Sequence, residues 1–421
     1  MQLQEAIAHQ VSEKQIHPKR LSKLYDPVHQ FIYLDQDEAA LIDSLPFQRL
    51  RYIRQMGTSY LVYPGATHSR FEHSLGVMEL ASQIFDRILD KFHVPGLDSA
   101  YWRKIVRLAA LCHDVGHLPF SHVAEKALLG KGGHEKWTYQ IIQSSILRPL
   151  WEKLQVKYSQ PDLIQHITQI AIGEKKLQEM GHPLLFSPWE RVMCEIITGD
   201  FFGADRIDYL LRDAKSTGVS YGLFDYHQLI ETIHIIRQAE GNFELGIEEN
   251  GIESCEALLL ARHFMHRRVY QYATVKSYNF HLARFMEKTV HLADLNHYLT
   301  LTDNDVIVEL FKAVKDPEHV GYGDAQSILE RKHRYKAVAV GPEISLEDLK
   351  NFQQTVPPGA IAWDFIPKGA SKMGLTFPVL LKTQKIINGS ALSTLSIPTG
   401  SNTWVYLDPK YEDSFQQYLQ T

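Results

Sequence analysis

The stretch His113-Asp114-Val115-Gly116-His117-Leu118-Pro119-Phe120-Ser121-His122 decides how this chain is read. Its titratable side chains are crowded into one short segment, directly after an apolar helical run that ends at Cys112. His113 and Asp114, adjacent at a helix end, can both address one ion if the local turn tightens. His117 lies one turn beyond His113 and shares its face. Gly116 and Pro119 predict a break that lets His122 swing back toward the same centre. Buried polar groups are costly unless satisfied, so a string that packs them among apolar neighbours points to a metal site. Imidazole plus carboxylate is a ligand set suited to Fe, Mn, Ni, Zn or Co rather than Ca.

An ion needs further ligands. His73, in Arg70-Phe71-Glu72-His73-Ser74, opens the preceding helical segment, and Asp205, in Asp205-Arg206-Ile207-Asp208-Tyr209, opens a later one. The expected set is His73, His113, Asp114 and Asp205, with open positions left for water and phosphate.

Around this centre the pattern is mainly α. Residues 1–22 are polar and helix-compatible, and Leu24 to Asp35 reads as a short hairpin or turn. Apolar residues recur at three- and four-residue steps from Asp37, over Glu72 to Phe92 and over Ser99 to Cys112. Helical periodicity is expected from His134 to about Leu154, Asp162 to Ile172, Trp189 to Asp213, Tyr226 to Ile236 and Cys255 to Leu292. Gly130-Lys131-Gly132-Gly133 is a flexible break; no strand precedes it and no Lys-Ser/Thr pair closes it, so it is not a phosphate-binding P-loop. From Tyr335 the texture changes to short β-branched runs, at Ala337–Val340, Ala360–Ala362, Val379–Leu381 and Thr403–Tyr406. We expect a helical domain over residues 1–300 and a smaller α+β lobe over 301–421.

Formal net charge is −5, from 44 basic and 49 acidic residues. Such a surface disfavours nucleic acid, and an anionic ligand would need a local cluster of Arg and Lys. The three cysteines, Cys112, Cys194 and Cys255, are scattered and read as buried small hydrophobes in a reducing compartment. No apolar stretch approaches the roughly 20 residues that span a bilayer, and Met1 to Glu5 lacks a signal-peptide pattern. A cytoplasmic protein without a membrane partner is the expectation.

The segments Arg70 to Val77, His113 to His122 and Asp205 to Tyr209 resemble the HD-domain deoxynucleoside triphosphate triphosphohydrolases. The likeness is strongest to the vertebrate enzymes that join a SAM domain to an HD domain, and it extends to bacterial dGTPases. It runs from about Asp26 to about Leu329, without the SAM domain. The resemblance implies an HD-domain helical core and a divalent metal cofactor (Fe, Mn, Ni, Zn or Mg) on His73, His113, Asp114 and Asp205. It implies release of a deoxynucleoside and intact triphosphate by water attack on the α-phosphorus. It places the catalytic group at His117, His122, Glu125 and His134, with Glu125 standing where the family carries Asp.

His122 would be the acid for the leaving 5′-oxygen, oriented by Glu125, while His117 and His134 touch phosphate. Arg70, Arg206 and Arg262 match phosphate-gripping positions, a task that suits the guanidinium fork. Gln55 and Asp213 match readers of the 3′-hydroxyl, and Tyr209 and Tyr270 match residues that crowd the 2′ side. His266, one turn before Tyr270, is expected in the same pocket. Asp43, Gln48 and Arg51 match a guanine-reading activator site. Tyr25, Gln228 and Tyr272-Ala273 depart from the residues that complete the family's activator pockets. The resemblance also implies a homo-oligomer, dimer or tetramer.

Other readings stay open from the sequence. The same metal site could serve another phosphate ester: a nucleoside monophosphate, a cyclic nucleotide or a nucleic-acid end. The chain could instead be a nucleotide sensor that keeps the fold without catalysis.

Overall fold

The computed structural model describes residues 22–420 apart from 95, 131, 200, 238–242, 342, 366–374, 396 and 398–402. The helix-compatible segment read over residues 1–22 therefore lies, up to residue 21, outside the described residues.

Two long helices carry the centre. Arg70–Lys91 buries Phe71, Leu75, Met78, Ile84, Phe85 and Ile88 along one face, the spacing expected of a core-facing helix. Ser99–Cys112 starts where the Asp98 side chain accepts from the Tyr101 amide at 3.0 Å, and it buries Ile105, Leu108, Ala109 and Cys112. These helices pack on each other, and Ala204–Thr217 lies against the first and Leu163–Ile172 against the second.

A buried charge network ties the entry segment to this pair. Arg107 Nε donates to Glu38 Oε1 at 2.8 Å and its Nη2 to Glu38 Oε2 at 3.1 Å, while Nη1 reaches Ser82 Oγ at 2.8 Å. Burial works to push the Glu38 carboxyl up, but Arg107 and Lys104 bring it below the ordinary carboxylate range. That depressed value contributes stability at pH above the unfolded value, and the contribution is lost as pH falls through the folded one. Arg107→Ala leaves a buried carboxylate short of a partner, which costs about 3–5 kcal/mol. Denaturant titrations are expected to show that loss at neutral pH and an acid transition displaced to higher pH. An unchanged midpoint would remove the network from the account of stability.

Several helical runs read from the sequence are broken. The run from His134 to Leu154 is two helices, Glu135–Ile142 and Arg148–Tyr158, because Pro149 lacks an N–H and restarts the helix in its first turn. The run from Trp189 to Asp213 divides into Pro188–Thr198 and Ala204–Thr217. The break puts Asp205 in a first turn rather than mid-helix. Tyr226 to Ile236 is helical only over Tyr226–Thr232; the β-branched residues that follow form the strand Ile233–Arg237. Cys255 to Leu292 is Ile252–Met265, a π-helical turn His266–Tyr270, and Ala273–Thr289.

Small sheets flank the helices. Ser22–Asp26 pairs antiparallel with Gln30–Leu34, the expected hairpin. One sheet has the order Ile233–Arg237, Phe243–Glu248, Pro378–Leu380, Ile386–Asn388, so late strands join early ones. A further sheet places Thr403–Leu407 between Lys336–Val340 and Ile361–Asp364, all antiparallel. A second helical core forms around Tyr278, Leu282, Phe285, Val306, Leu310 and Ile328, and Phe120 from the histidine-rich string plugs into it. Among the described residues no helix is long and apolar enough to cross a membrane.

Candidate metal centre and active-site cleft

His73 and His113 face each other across the two long helices, ring centroids 5.4 Å apart. His73 Nδ1 donates to Asp208 Oδ2 at 2.8 Å, and His113 Nδ1 donates to the Ala110 carbonyl at 2.7 Å. Both Nε2 atoms are buried and have no hydrogen bond of acceptable geometry. With Nδ1 protonated, a neutral ring offers an Nε2 lone pair, and here both are aimed at carboxylates. Asp205 Oδ1 lies 3.0 Å from His73 Nε2 and 3.7 Å from His113 Nε2; Asp114 lies 3.4 and 3.5 Å from the same atoms. Ligand atoms about 2.1 Å from an ion stand roughly 3.0–3.4 Å from one another at octahedral to tetrahedral angles. Of the expected ligands, His73, His113 and Asp114 are thus brought together at a spacing that could hold a divalent ion, and Asp205 stands beside both imidazoles. Burial disfavours a charged His73, yet the adjacent carboxylates of Asp205 and Asp208 raise its pKa to about 10. A metal ion would take the place of that second proton.

The support for these ligands comes from residues the sequence reading did not assign. Asp208 accepts from His73, from His29 Nε2 at 2.6 Å and from Arg212 Nε and Nη2, both at 2.9 Å, and Arg212 in turn donates to Asp26 Oδ2 at 2.7 Å. Gly76 makes room for it, since a Cβ there would stand 1.9 Å from Asp208 Oδ1. The available signal was the step of three from Asp205 to Asp208, which puts both acids on one helical face. Carboxylates that orient a ligating imidazole in this way typically contribute 10- to 100-fold in metal affinity. Asp208→Asn is expected to weaken metal binding by about that factor while leaving all four direct ligands in place. Competition with a chelator would read it; unchanged affinity would relegate Asp208 to a packing role.

After His113 and Asp114 the chain turns sharply. Phe120 and Ser121 both sit in the left-handed region, at φ 57° and 59°. The break expected at Gly116 and Pro119 is carried instead by these two residues. It returns His122 to within 4.6 Å of the His117 ring, and His134 stacks on His117 at 3.6 Å. Glu125 joins the set: Oε2 accepts from His122 Nδ1 at 2.6 Å, and Oε1 accepts from His134 Nδ1 and the His134 amide, both at 2.8 Å. Gly133 permits this approach, because a Cβ there would meet Glu125 Oε1 at 2.6 Å. Burial alone would raise the Glu125 carboxyl, but the two imidazoles hold it well below its ordinary value. His117 is held neutral: burial, with Arg70 and His134 nearby, keeps its pKa well below 6.5. His122 is 64% exposed and opens toward the cleft.

That cleft has a volume of about 1350 Å³ and is lined by His113, Asp114, His117, His122, His134 and Asp205. Gln55, Arg70, Tyr209, Asp213, Arg262, His266 and Tyr270 line it as well. Tyr270 donates its hydroxyl to Asp213 Oδ2 at 2.7 Å, and His68, a further unassigned residue, holds Asp213 Oδ1 at 2.7 Å. Tyr209 meets Tyr270 edge-on at 6.4 Å. Arg70 is committed to the metal site: Nη1 pairs with Asp114 and Nε donates to Ser121 Oγ at 2.7 Å. Arg206 stands beside Tyr209 and is not among the residues lining the cleft. Asp43, Gln48 and Arg51 are also outside it. Arg51 Nε donates to Gln48 Oε1 at 2.9 Å and its guanidinium lies 3.6 Å over the Phe71 ring, while Asp43 is exposed at the end of the Gln36–Ile42 helix.

Comparison with known proteins gives this centre a family. Residues 70–197 match the HD domain model and residues 224–350 match the HD associated region. A crystal structure of a hypothetical protein from Aquifex aeolicus is 32% identical, with a TM-score of 0.75, over 95% of this chain and 100% of that one. The chain belongs to the HD-domain family. Asp205 falls just beyond the matched HD domain, so the domain's own stretch holds only part of the ligand cluster. The chain is also 35% identical over 271 residues to an uncharacterized protein of Methanocaldococcus jannaschii, covering 64% of this chain and 50% of that protein. It is 30% identical over 279 residues to the human deoxynucleoside triphosphate triphosphohydrolase SAMHD1, covering 61% of this chain and 43% of that protein. The alignments thus span about half the length of these curated relatives. A phosphohydrolase from Bacteroides thetaiotaomicron shares the fold at a TM-score of 0.70 and 23% identity.

Proposed function

We propose that the protein is a metal-dependent deoxynucleoside triphosphate triphosphohydrolase that releases deoxynucleoside and intact triphosphate. The observation that carries this reading is convergence: His113, Asp114 and Asp205, the Glu125-linked histidines and the Asp213–Tyr270 pair all face one cleft, with His73 buried directly behind it. Its volume of about 1350 Å³ exceeds the roughly 300–1,000 Å³ of ordinary ligand pockets and leaves room for a triphosphate as well as a nucleoside. The activity by which the SAMHD1 relatives in human, chicken and Dictyostelium are named supports the same substrate class.

His73, His113, Asp114 and Asp205 would hold a divalent ion (Fe, Mn, Ni, Zn or Mg), which would supply Lewis-acid charge and a more acidic water. His117, kept neutral, and His134 donate to phosphate oxygens. His122 gives its Nε2 proton to the departing 5′-oxygen while Glu125 keeps the ring oriented through Nδ1. Arg262 adds positive charge for the phosphates, Arg206 acts from behind the cleft wall beside Tyr209, and Arg70 acts chiefly by fixing Asp114. Asp213, set by Tyr270 and His68, retains acceptor capacity for a 3′-hydroxyl, with Gln55 nearby. Tyr270 and Tyr209 close the side where a 2′-hydroxyl would sit, and His266 borders the sugar end. We further propose a cytoplasmic homo-oligomer whose Asp43, Gln48 and Arg51 form part of an activating nucleotide site. Tyr25, Gln228 and Tyr272-Ala273 depart from the family's residues, so the second activator pocket is eroded and any activator differs from the family's. A division into residues 1–300 and 301–421 belongs to the same proposal.

The test is to incubate Mn-supplemented protein with each dNTP, alone and with GTP or dGTP, and to resolve products by anion exchange. A His113→Ala, Asp114→Ala double variant runs alongside. Deoxynucleoside and triphosphate, absent from the variant, are expected. Orthophosphate or pyrophosphate in their place would transfer the site to another phosphate ester, and no turnover with any nucleotide would sink the reading.

A further inference from the structure

The turn that carries the catalytic histidines is held from outside the HD domain. Asp303 is the first residue of the helix Asp303–Ala313, which lies in the HD associated region. Its Oδ1 accepts from the Phe120 amide at 2.7 Å, and its Oδ2 accepts from the Arg54 amide at 3.0 Å and from Arg54 Nη1 at 3.2 Å. Phe120 and Ser121 are both left-handed, a conformation that costs non-glycine residues on the order of 1–3 kcal/mol and persists only when the surroundings impose it. The surroundings here are Asp303 on the Phe120 amide, the second helical core around the Phe120 ring, and Ser121 Oγ, which donates to the Arg54 carbonyl at 2.6 Å. Ser121 Oγ also accepts from Arg70, the partner of the ligand Asp114.

Asp303 is not needed to cap its own helix. Thr302 and Asp305 already do that, with Asp305 Oδ2 accepting from the Thr302 amide at 2.8 Å and from its hydroxyl at 2.7 Å. Its side chain is nevertheless only 2% exposed. Burying a carboxylate is costly unless its acceptors are filled, and they are filled by two backbone amides and one guanidinium.

We propose that Asp303 is a positioning residue for the His117–His122 turn, joining the second helical core to the histidines that act on substrate. Asp303 touches neither the ligands nor the cleft; it acts by fixing where the ring of His122 and the hydroxyl of Ser121 stand. The proposal rests on the catalytic reading of the histidines only for its kinetic arm.

The test compares Asp303→Asn and Asp303→Ala with Asp305→Asn, which weakens the cap of the same helix without touching Phe120. A displacement near 1 Å at a catalytic group can lower turnover on the order of 10²-fold. Asp303→Ala is expected to lose about that much in kcat with little change in KM or metal content, and Asp303→Asn, which keeps one acceptor, to lose less. Asp305→Asn is expected to lower the thermal midpoint and leave kcat alone. Equal losses of kcat in the Asp303 and Asp305 variants, or losses that track only the unfolded fraction, would overturn the proposal. The ring resonances of His117 and His122, assigned with His→Gln variants, give an activity-independent reading. They should move in Asp303→Asn and stay in Asp305→Asn, and unmoved resonances would also overturn it, whatever the enzyme hydrolyses.

Discussion

Asp205→Asn is expected to empty the centre of metal and to lower kcat/KM by at least about 10³-fold, equivalent to roughly 4 kcal/mol of transition-state stabilisation. The reasoning starts from what Asp205 does not do. Its side chain is a third exposed to the cleft and is not engaged by Arg70. Its near neighbours at the centre are the Nε2 atoms of His73 and His113, at 3.0 and 3.7 Å. Replacing the carboxylate by an amide therefore removes an anionic ligand and little else. Asp114→Asn makes an instructive contrast. That residue pairs with the buried Arg70 and lies 3.2 Å from His117 Nε2, so its loss should remove metal and also destabilise the fold. Metal binding to the folded state alone adds stability as RT ln(1 + [L]/Kd), about 4 kcal/mol at a thousandfold excess over Kd. Wild type should thus show a metal-dependent thermal midpoint, Asp205→Asn should melt where the metal-free wild type melts, and Asp114→Asn should melt lower still. Metal content by elemental analysis and denaturation with and without chelator decide it. Stoichiometric metal in Asp205→Asn would remove Asp205 from the ligand set.

How much of this was legible in the sequence follows the range of the interactions. The string from His113 to His122 could be read because its geometry is set by helix spacing, and the helix Ser99–Cys112 ends where its apolar pattern ends. His73 and Asp205 could be named as helix-opening residues of the right chemistry. Asp208, His29, Arg212 and Asp26 could not, since the bonds among them link positions up to 186 residues apart. Asp303 was hidden for the same reason, lying 183 residues beyond the amide it holds. The left-handed pair Phe120-Ser121 escaped notice because neither residue type announces that conformation, whereas Gly116 and Pro119 did attract attention. Local pattern also misled where two states share it. Ile233, Ile235 and Ile236 continue an apolar rhythm from the preceding helix, and only their pairing with Phe243–Glu248 makes them a strand. The C-terminal strands were visible as β-branched runs, but the parallel pairing of Ile247 with Val379 is a tertiary fact that no local window contains.

The acid–base arm of the site yields the second large effect. Glu125→Gln is expected to lower kcat on the order of 10²–10³-fold, within the range general acid–base groups contribute, while metal content stays at the wild-type level. Glu125 serves two rings at once: Oε1 takes His134 Nδ1 and its amide, and Oε2 takes His122 Nδ1. An amide can still present oxygen to His134, but it then turns its NH2 toward His122. A donor facing Nδ1 reverses the tautomer and repels the charged ring that must deliver a proton from Nε2. The carboxylate is held down by its bonds to these imidazoles against the effect of burial. If Glu125 acts through His122, adding Glu125→Gln to His122→Gln should cost little more than His122→Gln alone, since residues that work as a unit are not additive. Glu125→Asp, one methylene shorter, keeps the charge but cannot span both rings from the same backbone position, and should recover part of the loss. Full additivity of the two variants would mean that Glu125 supports the local fold around His134 and not the proton donor.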